Sequence, residues 1–332
     1  MAILTAKFII NPPHSIVVEC KDVEELSYSL SEDEYSLSVN LIGMEGSPKS
    51  GWVDSNIYRQ LVDKIEIIIS KEVGEIPDIP KTAQGGRDFT DAGEYFNEKK
   101  NEFSPLANKI YGRFIKYIKY VLKQPYMNSV EIDKDQLLNP SWSDSNGNNY
   151  GCVSIRMQVE IIPVMDGKSL GSITLKPDHE TAIKEVLSSD LKVELFQDIL
   201  SDAQTAIFSN DIRRGVFEMA LVCELSSKRK YFYDGGVAGL AFDYFEDKAK
   251  IRITVLELIS VVAEEVFGES FKAVFPDDYE NIDYLFRCRN KIAHKGKVAY
   301  KDKNGAWVYP DLVLVKNWFQ SVENLISWLG SK

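Results

Sequence analysis

One short segment of the chain carries arginine, asparagine and histidine at spacings that bring them together on one predicted helix. Arg289 is followed directly by Asn290, and His294 comes one helical turn later. A second arginine, Arg287, lies two turns before the histidine. Histidine titrates near neutral pH and can accept or donate a proton, whereas the planar guanidinium of arginine can hold a phosphate through two hydrogen bonds. The segment therefore has the residue types for proton transfer beside a bound phosphate.

This chemistry suits the cleavage of RNA, whose 2′-hydroxyl is the nucleophile. Cleavage then needs a general base, a proton for the leaving 5′-oxygen and cationic donors on the phosphate, so neither a metal nor another cofactor is expected. His294 is expected to act as base or acid, an arginine to hold the phosphate, and Asn290 to orient His294 or to donate to the phosphate.

The local charge of the segment is opposite to that of the whole chain. The formal net charge of −11 argues against a nucleic-acid coat or a membrane-surface protein. Residues 286–303, in contrast, contain seven basic residues and one acidic residue. Four of these basic side chains are expected to bind RNA: Arg287, Lys291, Lys295 and Lys297.

Ideal helical geometry favours Arg287, rather than Arg289, as the arginine that works with the histidine. Each residue turns the helix by about 100°, so Asn290 and His294 share a face and Arg287 points in nearly the same direction. Arg289 points about 140° away from His294, toward the apolar side that bears Ile292. Arg289 can reach the histidine through its long side chain, through a distortion of the helix or across a dimer interface. The competing interpretation is that Arg289 is a structural residue buried in an interface.

The pattern of Arg289, Asn290 and His294 resembles the signature of ribonucleases of the HEPN superfamily. In that family an arginine, often followed by asparagine, precedes a histidine in a late helix of a helical bundle, and a final helix follows. The signature favours Arg289 as the residue that holds the phosphate, with Asn290 positioning it and His294. The spacing of Arg287 also fits the signature, and Arg287 is expected to assist Arg289. The segment 211–224 is similar, less specifically, to an early helix of the family. The resemblance covers the chain from about residue 190 onward, and no family is identified for residues 1–178.

The resemblance implies a metal-independent endoribonuclease that dimerises through its C-terminal helical domain. It also implies a toxin or an antiviral effector of the abortive-infection kind, whose N-terminal domain senses a ligand or partner or restrains the activity. Some HEPN proteins have no catalytic activity, so the fold alone does not establish an activity. Two alternatives therefore stay open, a non-catalytic module that binds nucleic acid, a nucleotide or an acidic protein, and an oligomeric scaffold.

Periodicity in the first part of the sequence predicts an α+β domain over residues 1–178. Short apolar runs and alternation predict strands over 8–10, 16–19 and 35–41 and a hairpin over 153–175. Apolar residues at helical spacing predict helices over 56–71 and 91–122, the second interrupted near Pro105.

Beyond residue 178 the sequence predicts an all-α, HEPN-like bundle over residues 179–332. Every periodic segment there is helical, and amphipathic helices with short connections form bundles. The predicted helices are 179–208, 211–230, 249–267, 278–294 and 312–329. In the last of them, Trp318, Val322, Leu325 and Leu329 form one apolar stripe.

The remaining composition gives no sign of export, of a membrane span or of a local metal site. Four cysteines and three histidines are widely spaced, so neither a disulfide framework nor a zinc motif is predicted. The apolar run 251–267 contains four charged residues, and the apolar start of the chain is too short for a signal-peptide core. We therefore expect a cytoplasmic protein with reduced cysteines.

Overall fold

The chain forms two compact units, residues 1–192 and residues 193–332. The computed structural model describes residues 2–12, 16–20, 26–43, 58–79, 92–125, 127, 140–151, 173–232, 237–244, 248 and 253–332. The first unit is built on a β-sheet with helices, and the second is predominantly helical. The predicted order of an α+β region followed by a helical region is therefore confirmed.

Eight described strands form the sheet of the first unit. They are β1 (Ala2–Ile10), β2 (Ile16–Cys20), β3 (Leu26–Glu32), β4 (Tyr35–Gly43), β5 (Tyr58–Val73), β6 (Ser141–Asp144), β7 (Asn149–Gly151) and β8 (Ile173–Leu175). Six follow the order β3-β4-β5-β1-β6-β7, and β2 lies between β5 and β8. The pairing of β2 with β8 is parallel, whereas β5 pairs antiparallel with β1, β2 and β4. The strands predicted over 8–10, 16–19 and 35–41 are confirmed.

Strand β5 is the longest strand of the sheet, and the helix predicted over 56–71 is wrong. Its residues Ile65, Ile67 and Ile69 are fully buried and alternate with more exposed neighbours. Strand β4 pairs along one edge of β5, and β1 and then β2 pair along the other edge. The apolar residues satisfy both a helical and a strand period, and the β-branched isoleucines favour the pleated surface.

Helix α1 (Gly93–Lys116) packs against the sheet and continues into a π-helical turn, Tyr117–Val121. The interruption predicted near Pro105 is absent, since this residue lies inside the helix on its exposed side. The buried Phe103 ring contacts the Trp142 ring, with centroids 5.5 Å apart. Such packing compensates for the backbone hydrogen bond that proline cannot make.

Helix α2 (Glu180–Ser188) belongs to the first unit, although the prediction placed it in the helical domain and joined it to the next helix. Its residues Ile183 and Leu187 are buried in the core of the first unit. The Arg113 guanidinium also donates a hydrogen bond of 2.8 Å to the Leu187 carbonyl. The division between the units therefore falls after Lys192 rather than after residue 178.

The Glu102 carboxylate on α1 is bound by two side chains of the sheet and by one of α1 itself. Glu102 accepts hydrogen bonds from Lys71 Nζ at 2.6 Å, from Lys99 Nζ at 2.6 Å and from the Tyr35 hydroxyl at 2.7 Å. Burial alone would raise the pKa of Glu102, but these donors lower it from 4.5 to about 2. The folded state therefore favours the ionised carboxylate.

We expect Glu102→Gln to lower the free energy of unfolding by about 2 kcal/mol at pH 7, a value discounted for partial solvent screening. Because the folded-state pKa is depressed, this contribution is present above pH 4.5 and is lost as the pH falls toward 2. Urea unfolding of both proteins between pH 7 and pH 2 measures it. The matched control is Glu98→Gln, at an exposed position of the same helix. A difference in stability that does not narrow in acid would contradict this assignment.

The second unit consists of helices and one short hairpin. The helices are α3 (Leu195–Phe208), α4 (Ile212–Tyr231), α5 (Val237–Asp243), α6 (Val255–Glu257), α7 (Ala263–Phe267), α8 (Phe271–Val274), α9 (Pro276–Lys295) and α10 (Leu312–Gly330), with a π-helical turn at Leu258–Val262 between α6 and α7. Strands β9 (Tyr300–Lys301) and β10 (Trp307–Val308) form the hairpin, which the sequence analysis did not predict. The helices predicted over 211–230, 278–294 and 312–329 are confirmed. The described part of the helix predicted over 249–267 begins at Val255.

Helices α3, α4, α9 and α10 pack around a common core. The predicted stripe of Trp318, Val322, Leu325 and Leu329 is buried in it. Asp311 caps α10, because its carboxylate accepts a hydrogen bond of 2.8 Å from the backbone N–H of Leu314. The final helix is thus fixed both by its cap and by its apolar face.

The hairpin predicted over 153–175 lies outside the described residues, except for β8. Where the helices are described, none combines the length and the apolar character of a membrane span.

Candidate functional site

Helix α9 carries the three predicted catalytic residues. Its apolar side is buried in the core and bears Ile282, Leu285, Cys288 and Ile292. The helix ends at Gly296, whose φ of 65° is left-handed and whose N–H donates to the Ile292 carbonyl at 2.8 Å. This cap fixes the last turn, which contains the exposed side chain of His294.

The guanidinium of Arg289 links α9 to α4. Its Nη2 lies 3.2 Å from Oε1 of Glu224, and its Nη1 donates to Oδ1 of Asn290 at 3.2 Å. The side chain keeps 35% of its surface exposed. Arg289 leaves the helix in a different direction from His294, but its guanidinium contacts Asn290. Asn290 shares a face of the helix with the histidine, so the contact connects Arg289 to that face.

Arg287 is held elsewhere. Its Nη2 lies 2.7 Å from Oδ2 of Asp283 one turn earlier, and its Nη1 donates to the carbonyl of Lys301 at 3.3 Å. The hydrogen bond with Asp283 raises the pKa of Arg287. The structure therefore places Arg289, rather than Arg287, against Asn290.

Four lysines surround the end of α9 and form a surface that we call the basic surface. They are Lys291, Lys295, Lys297 and Lys301. None of them forms an ion pair within the described part of the chain. Burial lowers the pKa of Lys291, and the positive charges of the other three lower it further. The basic surface therefore carries uncompensated positive charge that an anion would neutralise.

A second contact joins α4 to the end of α9. Arg213 Nη2, in the first turn of α4, donates to the carbonyl of Gly296 at 3.4 Å, whereas Glu224, which contacts Arg289, lies about three turns further along α4. Two apolar side chains on α4 between these contacts, Phe217 and Leu221, are exposed. The polar contacts and an exposed apolar patch thus lie on the same pair of helices.

Sequence reasoning did not identify Glu224 as the partner of Arg289. The two residues lie on different helices, and periodicity within one helix carries no information about its neighbour. The available signal was that Glu224 lies in a segment, 211–230, whose apolar residues predict a helix. Glu224 is thus a residue of the site that the structure adds.

Cysteine chemistry is not supported at this position. Cys288 is fully buried, and burial raises the pKa of its thiol to about 11, so the thiolate is scarce near neutral pH. Within the described ranges, no three His, Cys, Asp or Glu side chains are grouped as metal ligands. The candidate chemistry therefore rests on Arg289, Asn290, His294 and the basic surface.

Comparison of the chain with protein-family models, with curated proteins and with solved structures finds no match.

Proposed function

We propose that the second unit is a metal-independent endoribonuclease of the HEPN kind. The observation that supports it best is the Arg289 guanidinium, which lies 3.2 Å from the amide oxygen of Asn290, one turn from the exposed His294. In this proposal His294 transfers a proton, Arg289 holds the scissile phosphate and Asn290 positions the two. The basic surface binds the flanking phosphates.

The reaction begins when a general base removes the proton of the 2′-hydroxyl. The 2′-oxygen then forms a bond to phosphorus, the bond to the 5′-oxygen breaks, and that oxygen takes up a proton. The products are a 2′,3′-cyclic phosphate and a 5′-hydroxyl. Two proton transfers are needed, and a dimer would supply them through one His294 from each copy.

Such a dimer follows from the resemblance to the HEPN superfamily, as does a role as a toxin or an antiviral effector. The exposed Phe217 and Leu221 beside the candidate site suit an interface between two copies. The first unit would sense a ligand or a partner and regulate the cleavage.

Glu224 is a positioning residue in this proposal. Its carboxylate holds the Arg289 guanidinium beside Asn290 while no phosphate is bound. The planar fork of arginine offers several donors, so one can stay on Glu224 while others bind phosphate oxygens. Arg289 is thereby pre-organised, which reduces the entropy lost when RNA binds.

The test is RNA cleavage by the full chain in excess EDTA. We expect the wild-type protein to produce fragments with 2′,3′-cyclic phosphate ends and Arg289→Ala to cleave about 10²-fold more slowly, as for the loss of one transition-state donor. Glu224→Gln should lower the rate by less than tenfold, since Arg289 is kept. The matched control is Arg229→Ala, because Arg229 also lies on α4 but pairs at 2.6 Å with Glu194, the residue before α3, instead of with a residue of the candidate site.

The alternative function is a module that binds RNA or an acidic protein without cleaving it. The observation in its favour is that the ion pair with Glu224 already engages Arg289. RNA binding by the wild-type dimer without any cleavage would favour this alternative. Equal cleavage by wild type and Arg289→Ala would refute the catalytic role of the arginine.

A further inference from the structure

The hairpin β9–β10 follows directly after the basic end of α9 and has a well-defined turn. The Asp302 carboxylate accepts hydrogen bonds from the backbone N–H of Asn304 at 2.9 Å and of Ala306 at 2.8 Å. Gly305 adopts φ of 80°, which a residue with a side chain rarely does. The turn thus fixes the direction of both strands.

One face of the hairpin is anchored in the core. Tyr300 is buried, and its ring lies 4.8 Å from the Tyr284 ring and 5.6 Å from the Trp318 ring, measured between centroids. Lys301 pairs with Trp307 across the strands, and directly paired residues point to the same face. Since Tyr300 points inward, Lys301 and Trp307 point outward.

The outward face presents an exposed indole ring with two cations close to it. Trp307 is 46% exposed, and its ring centroid lies 4.3 Å from Nζ of Lys291 and 5.3 Å from Nζ of Lys301. Cations over an aromatic face interact favourably with its electrons. The structure therefore holds an aromatic surface and two ammonium groups within a few ångströms of one another.

The neighbouring carboxylates are already neutralised. Glu280 pairs with Lys303 at 2.7 Å, and Asp283 pairs with Arg287 at 2.7 Å. The Asp302 carboxylate is used by the turn. Within the described part of the chain, Lys291 and Lys301 are therefore the cations near Trp307 that have no carboxylate partner. Both can bind an external anion.

We propose that Trp307, Lys291 and Lys301 bind single-stranded RNA, with a base stacked on the indole and the adjoining phosphates on the two lysines. This inference rests on the proposed function for its choice of RNA and adds that the substrate is unpaired. A single strand exposes the faces of its bases, which aromatic side chains bind by stacking, whereas a duplex covers them. Lys291 lies one turn before His294 on α9, so the bound strand would continue toward the candidate site.

RNA fits this surface better than an acidic protein does. An acidic segment of a protein would pair with the lysines, but stacking on the face of the exposed indole would add little to its binding. A nucleotide uses both parts, because its base stacks while its phosphate pairs with an ammonium group.

The test measures binding of a fluorescein-labelled, single-stranded 2′-O-methyl oligonucleotide to the full chain by anisotropy. The blocked 2′-oxygen prevents cleavage, so binding is measured separately from catalysis. We expect Trp307→Ala to weaken binding by about 5- to 100-fold, as for the loss of one stacked base, and Trp307→Phe to lose less. The matched control is Phe208→Ala, because the Phe208 ring is exposed to a similar extent, 47%, elsewhere in the same unit. Lys291→Gln and Lys301→Gln should each reduce the slope of log Kd against log salt by about 0.7.

Three outcomes would overturn the inference. These are equal binding by wild type and Trp307→Ala, equal affinity for a duplex of the same sequence, and Trp307-dependent binding of a labelled acidic peptide without binding of the oligonucleotide. Binding that depends on Trp307, without cleavage of unmodified RNA, would support the inference and refute the proposed ribonuclease. Cleavage that depends on His294, with no effect of Trp307→Ala on binding, would refute the inference alone.

Discussion

Replacement of His294 by alanine is expected to slow the cleavage of RNA by about 10²- to 10⁴-fold, the usual contribution of a general acid or base. The variant keeps Arg289 and Asn290 and therefore should still bind RNA. His294 is exposed in the last turn of α9, so its loss removes no core contact. We expect the free energy of unfolding to change by less than about 0.5 kcal/mol. Single-turnover cleavage in excess EDTA, together with urea unfolding, measures both quantities.

His179→Ala is the matched control for this experiment. His179 is a partly exposed histidine of the first unit and lies in a different unit from the candidate site. Its replacement should leave the cleavage rate unchanged. If both alanine variants cleave RNA as fast as the wild type, His294 has no part in the chemistry. If His294→Ala instead unfolds at markedly lower urea, its role is structural.

Replacement of Trp318 by alanine is expected to lower the free energy of unfolding of the second unit by about 3 to 5 kcal/mol, the usual cost of removing a large buried aromatic side chain. Trp318 is fully buried in the core of that unit and contacts the Tyr300 ring that anchors the hairpin. The resulting cavity removes packing contacts from both α10 and the hairpin. Urea unfolding followed by circular dichroism of the helices measures the loss.

Trp318→Phe separates the packing of this residue from its polar atom. The indole Nε1 of Trp318 is buried without a hydrogen-bond partner in the described part of the chain. Phenylalanine removes this unsatisfied donor and keeps much of the ring, so the variant should lose far less stability than the alanine variant. Equal losses of stability in the two variants would argue that packing of the ring is not the main contribution of Trp318 to the free energy of unfolding. An unchanged midpoint in Trp318→Ala would contradict the placement of this side chain in the core.

The candidate helix could be predicted closely from the sequence, because its apolar residues follow a single helical period. Leu285 and Ile292 are buried as that period requires, and Arg287 and Asn290 between them are exposed. The direction in which Arg289 points around the helix axis was also predictable. Its contact with Glu224 was not, because it depends on how α4 packs against α9, and helical periodicity does not specify neighbours.

Strand β5 shows where periodicity fails. Its apolar residues fit a helix as well as a strand, and the prediction followed the helical spacing, although the run of isoleucines favours a strand. The hairpin was missed for a different reason. Tyr300–Lys301 and Trp307–Val308 are too short to show alternation, although Asp302, Asn304 and Gly305 between them are typical turn residues. The separation of α2 from the bundle likewise depends on packing, since Ile183 and Leu187 are apolar residues that suit either unit.

The parallel pairing of β2 with β8 affects the order in which the molecule can fold. Ile16 pairs with Ile173, a residue that is nearly half the chain away in sequence. Contacts of such high contact order form slowly, and during synthesis β2 must wait for this partner until β8 has left the ribosome. The helices of the second unit make contacts over shorter sequence distances, which favours rapid folding. We therefore expect the slow phase of refolding to report on the first unit, even though its residues are synthesised first.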